Sequence, residues 1–400
     1  MRNLCLIIIC GGSLLFAESP LQFNVALQRR MAIDSGLKSL EHQQSAIKLQ
    51  TTVSNAMAPT SFEAIFEDFG KDELEFSISQ DFELPAIRKK RAGLIASRMN
   101  MLEVNAQAYH QRRRAELTLF FLDATMTHKQ LTLSVQRVEI LEQMLTWQTR
   151  QFHEGALAES ELIRTQLAVA EMTSQIDQVN ARLAGIAAEL TAYLDSTVQV
   201  QQLPKTLPDY PNQGTIQEFW KHYEQAPQLL HQRAIMGQVH AEMKLSDTPM
   251  VSAISLSGGY KILPEMDRGF PIVGVSLNAP LFSKRSQAVK LQEFQLESAR
   301  EDYSLLSNEL EQYAIQWQQS WLSSKSQLQN LQTTMIPKAE QLYQKIDEEY
   351  RSGARRYLEV LDAQSLLYDF HEEAIDIELQ LATRLLEMNN ILGVTVYEFE

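Results

Sequence analysis

The sequence predicts a mainly α protein with a small β part, built from a duplicated helix–strand–strand–long helix–helix unit. Three observations predict it. First, a helical hairpin with a glycine turn occurs twice. Residues 349–393, EYRSGARRYLEVLDAQSLLYDFHEEAIDIELQLATRLLEMNNILG, repeat the plan of residues 152–195, FHEGALAESELIRTQLAVAEMTSQIDQVNARLAGIAAELTAYLD. A shift of 198 residues puts Phe152 on Tyr350, Gly155 on Gly353, Ala156 on Ala354 and Gln166 on Gln364. Second, each hairpin follows a long run with few helix breakers. Third, short stretches of period-two alternation precede each long run. A glycine between two helical runs reads as a helix stop and reversal. A duplication of the whole plan is the strongest organising signal.

Taken in order, residues 21–57 read as helix and Pro59 ends it. Residues 61–66 read as a short strand, and 68–72, DFGKD, as a turn. Residues 73–84 are the clearest strand. Leu74, Phe76, Ile78, Phe82 and Leu84 fall on one face, with Gln80 the exception. Glu73, Glu75, Ser77, Ser79, Asp81 and Glu83 fall on the other. Pro85 stops it. From residue 86 to about 152 nothing breaks a helix except the tolerable Gly93. At about 1.5 Å per residue this helix is roughly 100 Å long, so it needs partner helices along its length. Gly155 reverses the chain into a helix over 159–195.

Residues 204–214 form a connector with Pro204, Pro208, Pro211 and Gly214. It separates a first repeat, 18–203, from a second, 215–400. The plan then recurs. Residues 215–246 read as helix with a local break at Pro227. Residues 250–262 and 272–282 alternate as strands. A second long helix spans 283–350, and Pro337 should kink it. In each long/short arrangement, two helices of roughly 37 residues end to end match one long helix, giving a rod of paired helices.

Composition sets outer bounds. The chain has 400 residues, 44% of them hydrophobic and 22% charged, ample for a folded core. Its net charge of −14 disfavours nucleic acid as a partner. No run approaches a transmembrane helix. Residues 1–17 read as a signal peptide: Arg2 is the positive segment, residues 4–16 the apolar one, and Ala17 a cleavage point. Both cysteines, Cys5 and Cys10, lie inside it. Lipidation at Cys10 is disfavoured because Ile9 stands where a small residue is expected. A mature chain without cysteine excludes disulfides and thiolate metal sites.

The strands pose the decisive problem. Four strands with one apolar face cannot close on themselves, and membrane barrels need about eight or more. Open edges in lipid cost several kcal/mol per unsatisfied backbone group. Either helices cover a soluble sheet, or several chains each lend four strands to one barrel. The acidic opposite face and the great helix length favour the shared barrel.

On these residues the chain resembles the TolC-like outer-membrane efflux proteins of Gram-negative bacteria. The matching stretches are EYRSGARRYLEVLDAQSLL…NNILG, its earlier copy FHEGALAESELIRTQLA, and the junctions FSISQDFELPAIRKKRAG and VGVSLNAPLFSKRSQAV. The first junction also resembles the subgroup serving heavy-metal exporters. The resemblance implies a homotrimer with a twelve-stranded β-barrel in outer-membrane lipid and a long coiled-coil-like α-barrel across the periplasm. It also implies two partners, a periplasmic adaptor and an inner-membrane transporter. Such a protein is a passive exit duct for efflux or type I secretion. The other reading is a periplasmic coiled-coil structural or adaptor protein without a barrel.

The resemblance further implies site residues. Glu359 and Asp362 match the acidic ring that closes the periplasmic tip, and their spacing puts both on one helix face. Tyr350 with Glu161, and Arg355 with Ser160, match the links that hold the closed state. Gly155 with Ala156, and Gly353 with Ala354, match the adaptor-docking turns. The residues themselves leave simpler readings open: a solvated helix face and plain chain reversals. The eight histidines show no metal-ligand spacing, and the fourteen methionines form no stripe. No nucleophile elbow, phosphate loop or zinc motif occurs, so no catalytic residue, metal site or cofactor is expected.

Overall fold

A computed structural model of the chain describes residues 20–56, 59–68, 72–206, 216–247, 253–263, 268–278 and 285–393. The expected signal peptide and most of the proline-rich connector lie outside the described residues. The described residues are mostly helical, with one four-stranded sheet.

The first half runs α1 (Phe23–Ile33), α2 (Ser35–Asn55), β1 (Ser61–Asp68), β2 (Asp72–Glu83), α3 (Pro85–His153) and α4 (Glu159–Leu194). The second runs α5 (Ile216–His222), α6 (Pro227–Ser246), β3 (Ala253–Leu263), β4 (Arg268–Asn278), α7 (Arg285–Asn330), α8 (Ile336–Arg351) and α9 (Tyr357–Leu392). α3 is a single helix of 69 residues. Pro85 starts it, where a missing N–H costs nothing. α3 packs on α2, α4, α6 and α9. Long and short helices therefore run side by side, as the matching lengths require.

Two local features differ from the sequence reading. The helix expected over 21–57 is broken at Asp34, whose backbone is extended (φ −65°, ψ 114°). Its carboxylate caps α2 by accepting the Gly36 and Leu37 N–H groups at 2.8 and 3.1 Å. It also accepts from the Tyr109 hydroxyl at 2.9 Å and pairs with Arg30 and Arg113, both at 2.9 Å. Aspartate favours helix starts because its side chain competes for backbone N–H groups. Burial pulls the Asp34 pKa up, but Tyr109, the Leu37 N–H and the two arginines outweigh it and hold the carboxyl below its ordinary range. Pro337 does perturb the second long helix, through a π-helical turn at Leu331–Met335 rather than a break. Proline cannot donate to the carbonyl four residues back, and an i→i+5 turn absorbs the mismatch. α3 has no interior proline and no such turn.

The sheet is antiparallel with order β1-β2-β3-β4. Phe62 stands opposite Ile78, Ile78 opposite Gly258, and Gly258 opposite Val273. Phe82, Ile254 and Leu277 form another such row. One face is therefore apolar across all four strands. The other carries Ser79 opposite Ser257, Glu75 opposite Lys261, and Asp81 bonded to Ser255. β4 begins earlier than the alternation suggested, because Pro271 lies inside it. An edge strand tolerates a proline since one side makes no ladder bonds.

The main core lies along the middle of the helices. Phe23, Leu117, Phe121, Leu122, Leu190 and Leu385 are buried together there. Trp317 and Trp321 stack at 5.4 Å, and the Trp317 indole N–H donates to the Arg384 carbonyl at 2.8 Å. A separate small core, with Met144, Tyr350, Tyr357 and Val360, sits beside the glycine turns.

Candidate functional site at the hairpin tips

The α3–α4 and α8–α9 turns are built alike, bond for bond. Gly155 and Gly353 take positive φ angles of 75° and 83°. The Gly155 N–H donates to the Phe152 carbonyl and the Ala156 N–H to that of Gln151, at 3.0 and 2.8 Å. In the second turn Gly353 donates to Tyr350 and Ala354 to Glu349, both at 2.8 Å. This is the double bond pattern of a helix ended by a left-handed residue, which glycine adopts without strain. Gly155, Ala156, Gly353 and Ala354 are all exposed. The next helices begin equivalently, with Glu161 N–H bonded to the Ala158 carbonyl and Glu359 N–H to that of Arg356. Glu161 and Glu359 are therefore structural counterparts.

The two hairpins meet at Tyr350. Its hydroxyl donates to Glu161 Oε2 at 3.1 Å and accepts from Gln148 Nε2 at 3.0 Å. Gln148 in turn accepts from the Thr165 hydroxyl. The Tyr350 ring packs edge-on to Trp147 at 5.4 Å and against Tyr357 at 5.6 Å. Burial pushes the Tyr350 hydroxyl well above its ordinary pKa; the Gln148 bond opposes this and the Glu161 charge adds to it. Tyr350 therefore stays a neutral donor at physiological pH.

Arg355 behaves differently from the expectation. It donates to Glu349 at 2.8 Å and to Glu359 at 2.7 Å, both in its own hairpin. Ser160 is exposed at the start of α4, and within this one chain Arg355 turns to its own hairpin rather than to Ser160. Two carboxylates within reach outcompete a neutral hydroxyl, because charge-assisted bonds are roughly twice as strong. Glu359 is thus paired with Arg355, while Asp362, one turn on, is exposed.

Gln148, Thr165 and Trp147 escaped the sequence reading. A signal was present: the positions 198 residues later hold Ile346 and Ala363 in place of Gln148 and Thr165. Polar residues where the copy is apolar mark a contact that the duplication does not explain. Among the described residues, no group of His, Cys, Asp or Glu is arranged to hold a metal ion, and no helix is long and apolar enough to cross a membrane.

A sheet with one apolar face, a rod of paired helices and twin glycine-turn hairpins together have the fold of the outer-membrane efflux channels. A family described as outer membrane efflux protein matches residues 223–394. The cobalt-zinc-cadmium resistance protein CzcC of Cupriavidus metallidurans is 19% identical over 382 residues, covering 94% of this chain and 91% of that protein. Among solved structures, CusC is similar with a TM-score of 0.73 and 15% identity, covering 94% of this chain and 92% of that one. VceC of Vibrio cholerae gives 0.74 at 11% identity, covering 94% and 97%. The TolC-like resemblance read from the hairpins is borne out.

Proposed function

We propose that the protein is the outer-membrane exit duct of a tripartite exporter, conducting cargo passively and gated at its periplasmic tip. The single observation that carries this is the sheet. Its apolar face runs across all four strands and is open to solvent in one chain: Val273 is 86% exposed and Phe62 69%. Both edge strands, β1 and β4, have an unpaired side. Pairing β4 of one chain with β1 of the next satisfies those edges, save at Pro271, which has no N–H to donate, and turns the apolar face to lipid. Three copies supply twelve strands, an even number within the range of membrane barrels. The helices then line a periplasmic tunnel. A soluble periplasmic coiled-coil protein would leave that face in water, which disfavours the alternative.

Within this reading the chain divides into a first repeat, 18–203, a connector, 204–214, and a second repeat, 215–400, behind a cleaved segment, 1–17. The exposed turns at Gly155–Ala156 and Gly353–Ala354 dock the periplasmic adaptor, which couples the duct to an inner-membrane transporter. Asp362, with Glu359 when freed from Arg355, forms the acidic ring of the gate. The Tyr350–Glu161 bond holds the two hairpins together in the closed state. Similarity to CzcC over nearly the whole chain, together with the acidic tip, supports divalent metal cations as cargo. No step of bond making or breaking is required of the duct.

Membrane fractionation with chemical cross-linking tests the proposal. The duct should sediment with the outer membrane and cross-link as a trimer. Recovery as a soluble periplasmic monomer would overturn it.

A further inference from the structure

Four side chains at the tip form one directed line of hydrogen bonds. The Thr165 hydroxyl donates to Oε1 of Gln148, the nearer of its two acceptors, the other being the Glu161 carbonyl at 3.3 Å. Nε2 of Gln148 donates to the Tyr350 hydroxyl at 3.0 Å, and that hydroxyl donates to Glu161 at 3.1 Å. The line starts and ends on α4, one turn apart, and passes through α3 and α8 between. Gln148 and Thr165 are fully buried, at 0% exposure. A tyrosine hydroxyl has one proton to give. With the Gln148 amide donating to its oxygen, that proton points at Glu161. With Thr165 donating to Oε1, the amide is held in the one orientation that keeps Nε2 toward Tyr350.

The duplication shows that packing alone does not demand this pair. The second copy carries Ile346 and Ala363 at the matching positions. A buried glutamine is tolerated only when its polar atoms are used. Here both ends are used, and both serve the bond between hairpins.

We propose that Gln148 is the positioning residue of the hairpin latch, orienting the Tyr350 hydroxyl toward Glu161, with Thr165 fixing the amide. This rests on reading the Tyr350–Glu161 bond as a closed-state link. The test is open probability of the full trimer in planar bilayers. Gln148→Leu is expected to raise it roughly five-fold, the equivalent of about 1 kcal/mol. Tyr350→Phe should raise it likewise, and the double variant should open no more than Tyr350→Phe alone. A residue that merely packs would instead give multiplied effects. If Gln148→Leu fails to assemble, Gln148→Met carries the test, since it keeps the side-chain length but has no N–H to donate. Tyr350→Phe opening while the Gln148 variants match the wild type, or a double variant whose effect is the product of the singles, would overturn the role of Gln148. Tyr350→Phe matching the wild type would sink the latch reading itself, and this proposal with it.

Discussion

The Tyr350 hydroxyl reaches across 189 residues of sequence to donate to Glu161 at 3.1 Å, joining the second hairpin to the first. Near the turns, a small separate core with Met144, Tyr357 and Val360 surrounds that contact, apart from the main core. The tip is therefore held by a modest number of contacts. Regions with few buried contacts open at low free-energy cost, which suits the gate proposed for this tip.

Exchanging Tyr350 for phenylalanine removes both the bond to Glu161 and the one accepted from Gln148, and leaves the ring in place. The loss should be about 1 kcal/mol of closed-state stability. Burial also keeps Tyr350 protonated, so the latch should not loosen as pH rises from 7 to 9. Single-channel recordings across that range check both points. A wild-type conductance that climbs steadily with alkalinity would contradict the second.

Arg355→Ala frees Glu359 from its partner and adds a charge at the tip for every chain. Block of current by divalent cations should become stronger. Asp362→Ala should weaken it more than Glu359→Ala does, because Glu359 is already paired. Block constants for the three variants decide this, and a reversed order for the two acids would refute the charge assignment.

Asp34→Asn breaks the joint between α1 and α2. Removing one partner of a buried ionic network costs about 3 kcal/mol. The sign with pH follows from the depressed pKa. The folded state holds the charged form, so the stabilisation is present above the ordinary value of 3.8 and is lost as pH falls through the lower folded value. The variant should therefore be much less stable than the wild type at pH 7, and the gap should narrow below pH 3.8. Denaturation midpoints at the two pH values measure it.

The two faces of the sheet should respond oppositely to charge. Val275→Arg, on the apolar face, should lower barrel stability by about 2–4 kcal/mol if the site lies near the bilayer midplane. Ser257→Arg, on the polar face, should assemble normally. Outer-membrane yield and heat resistance of the trimer separate the two, and equal tolerance would argue against a lipid-facing side.

The sequence by itself determined the periodic features: two long helices, two glycine turns, alternating strands and their duplication. These are local. Period, glycine conformational freedom and proline chemistry act within a few residues, so they are legible in order along the chain. The family resemblance, carried by the same hairpin residues, supplied the candidate pair Tyr350 and Glu161. Only the tertiary structure decided which polar groups meet. It broke the first helix at Asp34, because a buried carboxylate there gathers Arg30, Tyr109 and Arg113 from distant sequence. It accommodated Pro337 in a π-turn, and within the chain it paired Arg355 with two glutamates of its own hairpin. It placed Gln148 and Thr165 behind Tyr350, where the repeat marked them as odd but not what they touch. Partner choice among polar groups is a competition settled by distance and burial, and both are properties of the folded chain.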